Sequence, residues 1–166
     1  MKHVVAIFSV LLMTSAANAA GTGHNHQSKY AGQENRTVKS LSPDDIDALK
    51  RGGGWGMAKA AELNGVPGPA HLLELQDQIP LDEIQIRKIT SLFKSMQKQA
   101  VAKGEHLIAL EKTLEDHFRA GTINTQTLRL SLAEIARTRS ELRYIHLATH
   151  LETPNILTHH QINKYN

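Results

Sequence analysis

The chain of 166 residues contains no cysteine. No disulfide can staple it, so packing, hydrogen bonding or association must hold it together. Aromatic residues make up only 4% of the sequence, too few for the stacking platforms on which single-stranded nucleic acids are held. The formal net charge is +3, with Lys and Arg interleaved with Asp and Glu. That pattern describes solvated faces rather than a nucleic-acid groove, with a weak bias toward acidic partners or a membrane surface. Gly-x-Ser-x-Gly, phosphate-loop and cysteine-nucleophile signatures are all missing, and no isolated pair of carboxylates stands out, so no enzymatic activity is expected. Long apolar runs are missing as well. The run Val4 to Met13 is about ten residues, against the roughly 20 a bilayer span requires, and charges interrupt every later apolar stretch.

What that first run does match is a secretory signal peptide. Lys2 supplies the basic start, the apolar run follows, and Ala17-Asn18-Ala19 places small residues where a signal peptidase reads them. Cleavage is expected after Ala19, which leaves about 147 residues, enough for one domain. Residues 20–40 are polar and rich in Gly, Ser, Asn and Gln, and are expected to form a flexible leader. Its His24-Asn25-His26 is able to take a metal ion weakly.

From Leu41 onward the signals are helical. Ser42 is placed to cap a short helix with Pro43 at its first position, and Gly52-Gly53-Gly54 ends it. Met57 to Leu63 is helix-prone, Gly65 to Pro69 forces a bend, and His71 to Ile79 reads as one short helix stopped by Pro80. A long amphipathic helix is expected from Asp82 to about Ala120, its apolar face marked by Ile89, Leu92, Met96, Leu107, Leu110, Leu114 and Phe118. Gly104 is its internal weak point and Gly121 its terminating glycine. A second long helix is expected from about Thr125 to Glu152, with Leu128, Leu132, Ile135, Leu142, Ile145 and Thr149 on its face and Pro154 closing it. A last short helix begins at Thr158. Two long helices joined by about four residues must fold back on each other. The fold class is therefore all-α: a long antiparallel helical hairpin, roughly 55 Å in its longer arm, with short flanking helices. One layer of paired helices does not enclose a core, so a homodimer is favoured.

One helix-start pattern recurs. In Leu157-Thr158-His159-His160-Gln161 and Leu81-Asp82-Glu83-Ile84-Gln85, the second residue accepts a backbone N–H. The glutamine three positions later returns a bond to the cap, and the leading leucine staples to Ile162 or Ile86. Leu41-Ser42-Pro43-Asp44-Asp45-Ile46 is a looser third copy. Together with the signal peptide, the absence of cysteine and the hairpin, these starts resemble the Spy/CpxP family of bacterial periplasmic proteins, in which an L-T-x-x-Q motif occurs twice. Leu157, Thr158 and Gln161 match the motif in full, while Leu81 and Gln85 match around Asp82 in place of threonine. Ala58 to Gly65 with Pro67-Gly68-Pro69-Ala70-His71 is similar to a heavy-metal-resistance subgroup of that family. The resemblance covers residues 41–166. It implies a single helical domain there, a cradle-shaped dimer, and a periplasmic location. The role it implies first is ATP-independent chaperoning of unfolded or partly folded envelope proteins under envelope stress; the alternative is binding of zinc, copper, nickel or cobalt in metal resistance or sensing, and a further option is docking on the periplasmic domain of a sensor kinase.

Two sets of residues are candidates for those roles. A client-holding surface needs adaptable apolar groups beside charge, and Arg87, Lys88, Lys94, Met96, Lys98, Arg139 and Arg143 supply them along the hairpin. A metal site is expected from His146 and His150, four apart on one helical face. A hairpin centred near Ile123 sets them opposite residues 95–99, where Met96 offers a soft third ligand. The ion is expected to be a divalent transition metal, zinc or copper, with no cofactor otherwise required. His71 is expected to hydrogen-bond within its bend, and His106 and His117 to lie at the surface.

Overall fold

The structure, a computed structural model, describes residues 28–165. The expected signal peptide and the His24/His26 pair lie outside these residues. The chain divides into two units, Met1–Ala31 and Gly32–Asn166. Of the first, residues 28–31 are described, as a turn in which Ala31 N–H donates to the Ser28 carbonyl at 2.9 Å.

The second unit is all-helical, with no strand among its described residues. Its helices are α1 (Pro43–Lys50), α2 (Lys59–Glu62), α3 (Pro69–Glu74), α4 (Glu83–Arg119), α5 (Thr125–Glu152) and α6 (His159–Tyr165), with a 3₁₀ turn over Thr153–Ile156. The long helices pair as the expected antiparallel hairpin. No described helix is long and apolar enough to cross a membrane.

Local chemistry sets the ends of these helices. Ser42 caps α1 by accepting from Asp45 N–H at 3.1 Å, while the Asp45 carboxylate accepts from Ser42 N–H at 2.9 Å. Asp82 and Gln85 form the same box at the start of α4. α4 ends in a two-bond glycine stop, with Thr122 N–H donating to His117 O and Gly121 N–H to Phe118 O. Asn124 then caps α5, accepting from Thr127 N–H at 2.9 Å. α3 departs from expectation. It begins earlier than His71, because Pro69 occupies its first turn, and it ends at Glu74 rather than running to Ile79. The helix-prone stretch from Met57 likewise narrows to the single turn of α2.

One core cluster lies along the hairpin, where Val38, Leu41 and Leu49 pack against Met96, Ala100 and Leu107 of α4 and Ile135 and Leu142 of α5. Gly104, the apparent weak point of α4, is where α1 crosses it. A Cβ there would stand 2.5 Å from the Leu49 carbonyl oxygen, so only glycine permits the approach. The supposed leader is docked at its end: Val38 is buried, and Lys39 N–H donates to Glu115 at 2.8 Å. A second cluster, Leu72, Ile79 and Ile89 with Leu81, Leu157 and Tyr165 around it, fills the open end of the hairpin. Toward the turn the apolar faces run out of cover. Phe118 and Leu132, expected on the buried seam, are about half exposed, because no short helix among the described residues packs over that end.

Candidate functional site

The two copies of the recurring start meet. Gln85 Nε2 donates to the Ile156 carbonyl and to Gln161 Oε1, both at 2.9 Å. Gln161 Nε2 answers with bonds to the Pro80 carbonyl at 2.8 Å and to Gln85 Oε1 at 2.9 Å. Each Oε1 meanwhile accepts from the N–H of its own cap residue, Asp82 or Thr158. Every polar valence of both amides is used, and the carbonyls facing each Nε2 fix the amide orientation. A glutamate would cap equally well but would bring no donors. The cross-bonds therefore account for glutamine at the last motif position. Leu81 and Leu157 pack on the second core cluster. These six residues close the open end of the hairpin; their chemistry is structural.

Beside this closure lies a pocket of about 380 Å³. α5 contributes His146 and His150, α4 contributes Phe93 and Met96, α2 contributes Glu62 and α3 contributes His71. The three residues expected to form a metal site thus face one cavity, and His71 and Glu62, which spacing did not point to, join them. His146, His150 and Met96 are 4%, 5% and 6% exposed.

The bend before α3 arranges the pocket. His150 Nδ1 lies 2.9 Å from the Val66 carbonyl. A carbonyl only accepts, so Nδ1 carries a proton; in the neutral ring Nε2 then presents a lone pair, the arrangement that backs metal-binding imidazoles. Gly68 leaves room for that ring: a Cβ on it would come within 2.4 Å of His150 Cε1. His150 Nε2 and His71 Nδ1 are each 3.9 Å from Glu62 Oε1. His71 Nδ1 is also 3.3 Å from the Tyr165 hydroxyl, whose own ionisation is pushed up by burial and by the Glu62 carboxylate. His146 Nε2 is buried with no hydrogen-bond partner. Burial, reinforced by His150 and opposed by Glu62, holds the His146 pKa below its usual value and keeps the ring neutral. Among the described residues, no three His, Cys, Asp or Glu side chains stand in position to hold a metal ion by themselves.

Comparison with family models, with curated proteins and with solved structures gives no match for this chain.

The surface candidates fare unevenly. Arg87, Lys88, Lys94, Lys98 and Arg143 are exposed, Arg87 within 3.5 Å of Glu83. Met96 is not available to a client: it lies in the core between α4 and α5. Arg139 is half-exposed and committed, at 3.0 Å from the buried Glu111 carboxylate and with its guanidinium 5.2 Å over the Trp55 ring. Other exposed apolar groups emerge on α5, where Leu130, Tyr144 and Leu151 recur at multiples of seven residues. Their heptad spacing is visible in the sequence, but the buried seam of the same helix masks it. His106, His159 and His160 are exposed, and His117 bonds Thr122 across the turn at 3.1 Å.

Proposed function

We propose that this protein is a helical envelope protein of the Spy/CpxP type whose pocket captures a transition-metal ion. The observation that carries the metal reading is the convergence on one cavity of His146, His150 and Met96, with His146 Nε2 buried and unpartnered. A buried polar atom without a partner costs free energy, and an incoming ion would supply the missing partner. The donor set fits: two imidazoles, one backed by a backbone carbonyl, beside a thioether. The family reading is supported by the paired L-[TD]-x-x-Q starts, whose glutamines bond each other, and export by the signal-peptide pattern at residues 1–19. The test is titration of the purified protein with zinc and copper beside a His146→Ala/His150→Ala double variant. One ion per chain is expected in the wild type, with affinity at least about tenfold lower in the variant. Equal affinity in both removes the role.

A second reading, nucleotide-independent chaperoning, is favoured by the exposed α5 stripe of Leu130, Tyr144 and Leu151 near Arg137 and Arg143. Such apolar groups rimmed by charge suit loosely folded partners or a second copy of the chain, and the expected dimer belongs to this reading. Replacing Leu130, Tyr144 and Leu151 with serine is expected to abolish suppression of aggregation of an unfolding client. Unchanged suppression counts against the stripe.

A further inference from the structure

We infer that the pocket selects monovalent copper, held by His146 and His150 with the Met96 thioether as third ligand. This rests on the metal-capture reading above and narrows it to one ion.

The donors fall into two groups. His146, His150 and Met96 are all more than nine-tenths buried and project from the two long paired helices. Glu62 and His71 are partly exposed, with about a third and two-fifths of their side chains in solvent. They stand on a single-turn helix and a six-residue helix. His71 already has the Tyr165 hydroxyl within reach. The buried group is therefore the preformed one, and its composition is two imidazoles and a thioether.

That composition discriminates between ions. Zinc in a protein site takes four ligands in a tetrahedron, drawn from thiolate, imidazole and carboxylate. Among the described residues no three His, Cys, Asp or Glu side chains are placed to begin such a shell. Cuprous copper is soft, accepts thioether sulfur, and is satisfied by two or three donors. Its single charge is also cheaper to bury beside Phe93 and Ala58, which line the same pocket. The helix supplies the spacing: positions 146 and 150 bring two rings to one face, and Val66 holds the second ring with Nε2 free.

The experiment is a cuprous titration of the purified protein under anaerobic, reducing conditions against a chromogenic cuprous chelator. A zinc titration against a zinc chelator runs in parallel. Both are repeated on Met96→Leu and Glu62→Gln, and on a form with His24 and His26 changed to alanine. Met96→Leu nearly conserves volume and is expected to fold, which circular dichroism checks. The expected result is one cuprous ion per chain, bound at least about tenfold more weakly by Met96→Leu, clearly less affected by Glu62→Gln, and unchanged by loss of the leader histidines. X-ray absorption should show a sulfur neighbour at copper that Met96→Leu removes. Zinc bound as well as copper, with Glu62→Gln damaging and Met96→Leu harmless, overturns the inference and leaves metal capture standing. Copper binding that disappears with the leader histidines also overturns it. Retention of neither metal removes both.

Discussion

At the closed end of the hairpin, α4 passes into α5 using only near neighbours in sequence: Gly121 bonds Phe118, Thr122 bonds His117, and Asn124 bonds Thr127. At the open end the polar contacts span about half of the chain's length. Gln85 reaches Ile156 across 71 residues, Gln161 reaches Pro80 across 81, and His150 reaches Val66 across 84. The turn of the closed end is built from local bonds, with Lys39 reaching Glu115 from across 76 residues just beside it, and Phe118 and Leu132 stay half exposed. The open end exists only when the whole unit is assembled, since such contacts must first offset the entropy of closing long loops. The pocket sits at the end whose geometry depends on everything else, where burial and distant partners can fix the state of an imidazole.

The contrast can be broken at the open end first. Gln161→Glu keeps the cap but deletes both cross-bond donors and sets a carboxylate against the Pro80 carbonyl and Gln85 Oε1. It is expected to cost about 2–3 kcal/mol in urea unfolding, and to loosen the pocket through Leu157 and Tyr165, which pack on the shared second cluster. A loss below about 0.5 kcal/mol would mean that the amide pair contributes little. Gly121→Ala at the closed end is the smaller perturbation. A Cβ there meets nothing within 4 Å, so the penalty is the left-handed backbone at φ +65° alone. About 1 kcal/mol is expected, with metal affinity unchanged. A change in metal affinity from this variant would show that the two ends are coupled after all.

Most of the scaffold was legible because it depends on local rules. Period and capping placed both long helices to within a residue or two, and the capping boxes at Ser42, Asp82 and Thr158 formed as their side chains dictate. The pairing register followed from a short turn, which is why Met96 lands opposite His146 and His150. What escaped the reading depends on distant cover. The spacing put His150 on the face of His146 but did not show that the Gly65–Pro69 bend folds over it. Glu62 and His71 enter the pocket through that bend, and only the Pro-Gly-Pro run beside His71 hinted at a rigid turn there. The Val66 carbonyl, which orients His150, carries no side-chain signature at all. Met96 was given two roles that exclude each other, since a side chain sealed between helices is out of reach of a client. Arg139 looked free until Glu111 and Trp55 were seen to hold it.

The crossed amides carry a consequence for descent as well as for folding. Positions 85 and 161, 76 residues apart, answer to one constraint, because loss of either glutamine leaves one donor and one acceptor site of the other's amide, and a main-chain oxygen, without their partners. A lineage that loses one is expected to lose or rebuild both together. In relatives, the two spots should therefore change as a pair even where the intervening chain has drifted beyond recognition.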